Sequence, residues 1–179
     1  MPAAPKTSAA DIVSVATMLL EEQGAGAVTM QAVAAKVGIK GPSLYKRYPT
    51  RELLLDDVAR EGLLDLEQRL GAARKAGAVL EGMARAYRAF ALARPHLYAL
   101  LFAAREEGGD LVTRRSELVR PLLDALAGRV GTQDALPAAR LLTAWLHGFV
   151  SMELAGAFRL GGRPQDDFEW GLKRVISAL

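Results

Sequence analysis

The sequence predicts an all-α protein of about nine helices in two parts. A three-helix N-terminal module spans residues 1–52, a helical bundle spans residues 53–179, and a fourth helix near 50–70 connects them. Three observations carry the prediction. Apolar residues recur at i, i+3, i+4 and i+7, the spacing that gathers them on one face of a 3.6-residue turn. No segment sustains the period-two alternation of a half-buried strand. The breaks between periodic stretches are marked by helix-stopping residues, among them Gly24, Gly38, Pro49, Gly77, Pro95, Gly108-Gly109, Gly131 and Gly161-Gly162-Arg163-Pro164.

Residues 1 to about 7, rich in Ala, Pro and Lys, read as a frayed tail. Thr7 or Ser8 can cap the first helix, where Ile12, Val15, Ala16, Leu19 and Leu20 share a face and which Gly24 and Gly26 end. Thr29 stands at the N-cap of a short helix from Met30 to Val37. Gly38 stops that helix, because a residue without Cβ takes the left-handed conformation of a tight turn at no steric cost. Pro42 opens a third helix running to about Tyr48, since its missing N–H would lack a partner in the first turn anyway. Pro49 then biases Tyr48 away from helix. Thr50 caps the fourth helix, with Glu52 and Asp56 near its positive end and Leu55, Val58, Ala59, Gly62 and Leu66 along one side. Further helices are expected at about 77–93, 95–104, 110–129, 134–160 and 165–178.

Composition narrows the function. With 179 residues, 51% of them hydrophobic, the chain can bury a core. The net charge is only +3, yet five basic residues and no acid lie between Lys36 and Arg51, so the rest nets about −2. That concentration suits a polyanionic partner better than the mild mean does. The absence of cysteine excludes a disulfide framework, a thiolate zinc site and a cysteine nucleophile, and fits a cytoplasmic location. No basic region followed by an apolar one opens the sequence, so no signal peptide is expected. The longest apolar stretch, residues 141–158, contains His147 and Glu153 and reads as a buried or interface helix; no membrane partner is expected. There is no glycine-rich phosphate loop and no Gly-x-Ser-x-Gly elbow. Neither His96 nor His147 has a glutamate three residues before it, as a helical di-iron site requires. No enzymatic activity, catalytic residue, metal site or cofactor is expected.

The basic stretch belongs to a motif. Two short helices joined by a glycine-containing turn have the arithmetic of a helix-turn-helix. Val33, Ala34, Val37, Ile39 and Leu44 can face inward, leaving Ser43, Lys46 and Arg47 outward with Tyr45 and Tyr48 nearby. Such a helix fits the major groove of B-DNA; lysine and serine can meet base edges, and arginine and tyrosine hydroxyls suit phosphates. Thr50 and Arg51 open the fourth helix, whose free N–H groups favour a phosphate. The segment "TMQAVAAKVGIKGPSLYKRYPTRELLL" resembles the DNA-binding region of TetR-family transcriptional regulators, in a match covering about residues 8–60. The resemblance rests on Thr29, Ala34, Gly38, Ser43-Leu44-Tyr45, Lys46-Arg47, Tyr48 and Arg51. It departs from the family pattern at Arg47, Tyr48 and Arg51, where His, Phe and Lys are usual. The resemblance implies that Gln31, Gly41, Pro42, Ser43 and Lys46 approach bases, and that Thr29, Lys40, Tyr45, Arg47 and Arg51 contact phosphates. Tyr48 is divided between phosphate contact and packing.

The remaining two-thirds is dominated by "LLTAWLHGFVSMELAGAF", apolar nearly all round and so covered on more than one side. One side can be the core and another a second subunit, which would bring two recognition helices onto a palindrome. Trp145-Leu146-His147-Gly148 and "ARPHLYALLF" resemble the TetR subgroup named after a Trp-His-Gly signature. That resemblance implies a homodimer through the last two helices and a small-molecule effector in the core. The interface residues expected are Leu142, Leu146, Val150, Leu154, Phe168, Leu172, Val175 and Ile176. Met83, Tyr87, Phe90, Tyr98, Phe102, Trp145, Phe149 and Met152 are expected to line a mostly apolar pocket, with plain core packing as the competing reading. Glu153, if buried, needs a cation, and Arg140 or Arg159 is in range. The function expected is a repressor of transcription on a palindromic operator; the alternative is a helical ligand-binding or structural protein without a DNA role.

Overall fold

The computed structural model describes residues 7–74, 79–103 and 109–179. Among these residues the chain forms α1 (Ala9–Gln23), α2 (Met30–Val37), α3 (Gly41–Tyr45), α4 (Arg51–Arg74), α5 (Val79–Ala93), α6 (Pro95–Phe102), α7 (Gly109–Val130), α8 (Ala135–Leu154) and α9 (Pro164–Ser177). A single 3-10 turn, Ala25–Ala27, separates α1 from α2. The all-α reading of about nine helices therefore holds. The expected tail at residues 1–6, the break and helix start at Gly77, and the break at Gly108 lie outside the described residues.

Two helices end earlier than expected, and α4 runs on to Arg74, past the expected 70. α3 stops at Tyr45, and Arg47 N–H donates to Leu44 O at 2.9 Å as the helix tightens ahead of Pro49. α8 ends at Leu154, six residues before the expected 160. Gly156 there adopts φ +62°, Ala157 N–H reaches back to Met152 O at 2.9 Å, and Gly156 N–H to Glu153 O at 3.0 Å. These are the paired reverse bonds of a Schellman stop, so Gly156 terminates the helix.

The chain divides into two compact units, one of residues 1–64 and 94–112, the other of residues 65–93 and 113–179. In the first, α1 packs on α2 and α6, and α2 on α3. Ile12, Ala16, Leu20, Val28, Val33, Leu44, Leu54, Val58, Leu97 and Leu101 are fully buried there. Ser8 caps α1 reciprocally with Asp11, whose carboxyl is held below its usual range by the Ser8 backbone N–H and hydroxyl. His96 on α6 lies 2.9 Å from Leu20 O through Nδ1, which must carry the proton to meet a carbonyl.

In the second unit α5, α8 and α9 pack on one another. Phe90, Leu126, Leu142, Val150, Phe168 and Leu172 fill the core. Trp145 stacks on Phe168 with centroids 5.5 Å apart, and Phe149 meets Phe168 edge-on at 5.4 Å. α8 and α9 approach so closely at Gly171 that a Cβ there would sit 2.7 Å from Trp145 Cζ2. An indole locked in an aromatic stack cannot swing aside as a flexible chain end could. Gly171→Val is expected to destabilise the fold by about 2 kcal/mol or more, because overpacking of this kind costs roughly 1–3 kcal/mol and outweighs the gain of about 0.5 kcal/mol in helix propensity. An unchanged urea midpoint would show that the two helices part freely.

Candidate nucleic-acid interface

α2 and α3 are set at an angle by Gly38. It takes φ +79° and ψ 29°, with Ile39 N–H on Ala34 O at 3.0 Å and its own N–H on Ala35 O at 3.2 Å. Thr29 caps α2, its hydroxyl accepting from Ala32 N–H at 3.1 Å while the residue stays exposed. Leu44 is fully buried and anchors α3. Because a short helix anchored by one side chain turns its other faces outward, Pro42, Ser43, Tyr45, Lys46 and Arg47 are all exposed, Tyr45 by 53%. Gln31 and Lys40 are exposed as well, and Gly41 is half-buried at the start of α3. Between α2 and Tyr45 lies a shallow groove of about 310 Å³ lined by Met30, Ala34, Ala35 and Ile39. Lys36, at the start of the basic run, pairs with Glu22 at 3.5 Å.

The structure revises two of the expected contacts. Tyr48 is buried, and its hydroxyl donates to Asp57 Oδ2 at 2.7 Å. Burial, then this bond, raises its pKa well above the usual range, so the phenol keeps its proton; of the two readings of Tyr48, packing is the one the geometry supports. Arg51 does not point outward either. Its Nε donates to Val28 O at 2.6 Å and its Nη2 to Ala25 O, so its guanidinium is spent on backbone carbonyls ahead of α2. Thr50 caps α4 through Leu53 N–H at 3.3 Å.

The C-terminal residues need correction of phase. Leu142, Leu146, Val150, Phe168, Leu172 and Ile176, expected at a subunit interface, are buried within the second unit, where they are the faces of α8 and α9 turned inward. Val175 is half-buried, and Leu154 is exposed. Met152, expected in a pocket, is 49% exposed and stands with Leu141 on the outward face of α8. Met83, Tyr87 and Phe90 are core residues of α5, and Trp145 and Phe149 are half-buried in the aromatic stack. Tyr98 and Phe102 belong to the first unit, their rings 4.8 Å apart. Tyr87 Oη lies 3.5 Å from His147 Nδ1, which brings His147 of α8 against α5.

The partner of Glu153 is neither Arg140 nor Arg159. Arg88 on α5 grips it with Nε–Oε2 2.7 Å and Nη2–Oε1 2.5 Å, and its Nη1 donates to Gln165 Oε1 on α9. Its guanidinium also sits 5.0 Å from the centre of the Phe168 ring. The sequence carried a signal for this pair: Arg88 and Glu153 are the charged residues set within otherwise apolar runs, AYRAFALA and VSMEL.

A glycine-turned pair of short helices, with the second exposing hydroxyl, aromatic and basic side chains, defines a DNA-binding helix-turn-helix protein. Residues 12–58 match the model of bacterial regulatory proteins of the tetR family, and residues 80–175 match the tetracyclin repressor-like C-terminal domain. The chain belongs to the TetR family of transcriptional regulators, and is accordingly no enzyme. It is 32% identical over 165 residues to an HTH-type transcriptional regulator of Mycobacterium tuberculosis, a match covering 84% of this chain and 72% of that protein. Among solved structures it resembles the regulatory protein SCO4313, with TM-score 0.83 and 30% identity over 94% of this chain and 95% of the other. The fold is shared also with a TetR variant of Acinetobacter baumannii AYE crystallised with minocycline, with TM-score 0.70 and 20% identity over 97% and 96% of the two chains. Among the described residues no helix is long and apolar enough to cross a membrane, and no cluster of three metal-ligating side chains occurs.

Proposed function

We propose that the protein is a cytoplasmic homodimeric repressor that binds a palindromic operator and is released from it by a small-molecule effector. The observation that carries the DNA reading is the outward display on α3 of Ser43, Tyr45, Lys46 and Arg47 around the buried anchor Leu44. In this reading Gln31, Gly41, Pro42, Ser43 and Lys46 meet bases, and Thr29, Lys40, Tyr45 and Arg47 meet phosphates. The DNA-binding module comprises residues 1–52 and the effector and dimerisation domain residues 53–179, with α4 between them. The C-terminal half is assigned to the Trp-His-Gly subgroup on Trp145-Leu146-His147-Gly148 in α8. Binding of minocycline by the A. baumannii relative supports a small-molecule effector as the releasing signal. An effector acts by preferring a conformer whose recognition helices no longer match the half-sites.

Fluorescence anisotropy on DNA flanking the protein's own coding region, against scrambled DNA over a salt series, tests this. A preference of at least about 10³-fold with a steep salt slope is expected. Lys46→Ala is expected to cost about 1–3 kcal/mol on the operator and to relax discrimination at one base pair, whereas Arg47→Ala weakens all sequences alike and lowers the salt slope by about 1. Absence of binding to either DNA at low salt, by a folded dimer stripped of ligand, would sink the proposal.

A further inference from the structure

Arg51 stands where the family resemblance implied a phosphate contact, and Tyr48 where phosphate contact and packing competed, yet both side chains bond within the protein. Their partners share a pattern. Arg51 is the first residue of α4, and its fork closes on Val28 O at 2.6 Å and on Ala25 O. Those carbonyls belong to the 3-10 turn and the residue just before Thr29, the N-cap of α2. Tyr48 lies just beyond the end of α3, and its hydroxyl closes on Asp57, one and a half turns into α4, at 2.7 Å. The other oxygen of Asp57 is taken by Arg60, which fixes the carboxylate in place to receive the phenol. α4 is thus fastened to the helix-turn-helix at both ends: ahead of α2 through Arg51, and behind α3 through Tyr48 and Asp57.

We infer that Arg51, Tyr48 and Asp57 are positioning residues, forming a two-point clamp by which α4 fixes the attitude of the whole α2–α3 pair. This rests on the DNA-binding reading of α3. A helix tied at one point can pivot about it; tied at two points on opposite sides of the motif, it carries the motif with it. Arginine suits the front point because its planar fork reaches two carbonyls at once, which a lysine ammonium on a flexible stem does not hold in the same geometry. The tyrosine hydroxyl, where phenylalanine is usual in the family pattern, supplies the rear point. A movement of α4 is then delivered to Thr29 and to the start of α2 as well as to α3.

The test has two arms on the full-length protein. Hydrogen exchange of the free protein needs no DNA. Arg51→Met is expected to raise exchange of the amides of residues 27–33, and Tyr48→Phe of residues 43–48, by at least about fivefold, while the amides of α1 stay as they were. Unchanged exchange in both variants overturns the clamp. The second arm uses a duplex selected by the wild-type protein from a random-sequence pool, with an unselected duplex as control. Each variant is expected to bind the selected duplex about three- to tenfold more weakly, the loss of one or two hydrogen bonds, with affinity for the control and the salt slope unchanged. Arg51→Lys, which keeps the charge and not the fork, is expected to behave like Arg51→Met. A salt slope lowered by about 1 in Arg51→Met, with affinity restored in Arg51→Lys, would make Arg51 a phosphate contact and overturn its place in the clamp. An equal loss on both duplexes would reduce the effect to unfolding and overturn it too. If the wild type selects no sequence, the operator reading fails by itself, and the exchange arm still decides the clamp.

Discussion

Arg88→Met is expected to destabilise the protein by about 3–5 kcal/mol, because it removes one partner of a buried ion pair and leaves the other charge without compensation. The side chains of Arg88 and Glu153 are only 10% and 12% exposed, so water cannot replace the lost guanidinium without opening the packing of α5, α8 and α9. Three hydrogen bonds go with it, two to Glu153 and one to Gln165, as does the contact with the face of Phe168. The measurement is urea unfolding of wild type and variant, with a fall in midpoint at constant slope as the expected result. The double variant Arg88→Met with Glu153→Leu separates charge from shape. Replacing a buried pair by apolar side chains of similar volume is often neutral, so the double should recover most of the loss. If the double is as unstable as the single, the pair acts through packing and not through charge. The pair has a further consequence for uniqueness. α8 is apolar on several sides and could rotate about its axis at small cost in buried area, whereas a bidentate bond has one geometry. The double variant is therefore expected to regain stability but lose dispersion in its methyl spectra.

The same property of α8 decided what could be read from the sequence. Where a helix has one apolar face, as in α1, its phase is written in the spacing, and Ile12, Ala16, Leu19 and Leu20 are buried as expected. Val15 is only half-buried and Val13 takes its place, a shift of less than a turn. The glycine turn and the anchor Leu44 were equally legible, because Gly38 and Pro42 each permit few conformations. In α8, Leu141, Leu142, Trp145, Leu146, Phe149, Val150 and Met152 populate almost every direction, and periodicity gives no phase to choose among them. Six of the eight expected interface residues thus proved to be core, and Met152 faced outward. Tyr48 and Arg51 escaped for a different reason. Residue type states what a side chain can bond, and both a phosphate and a carbonyl accept from arginine. Their partners Asp57, Val28 and Ala25 are 9, 23 and 26 residues away, and only the fold brings them together.

A charged pair placed on the outward face of α8, Leu141→Glu with Met152→Glu, is expected to leave the fold intact and the protein monomeric. Leu141 is 53% exposed and Met152 49%, so neither substitution buries a charge within the protomer. Gly148, between them, has nothing within 4 Å of where its Cβ would lie, so the same face is open to the close approach of another helix. α9 adds Trp170, 66% exposed, and the chain between the helices adds Phe158 and Leu160. Large apolar side chains gathered on two neighbouring helices with solvent over them mark an association surface. In a two-fold dimer each glutamate would meet its mate or a neighbouring apolar group of the other subunit, and a buried unpaired carboxylate costs several kcal/mol. Sedimentation velocity should show the wild type as a dimer and the double variant as a monomer, with the same far-ultraviolet dichroism. Operator affinity should fall by about 10³-fold or more, toward the non-specific level, since a single α3 reads one half-site. Loss of affinity without loss of the dimer would place the effect elsewhere; a variant that stays dimeric and binds normally would move the subunit contact off this face of α8.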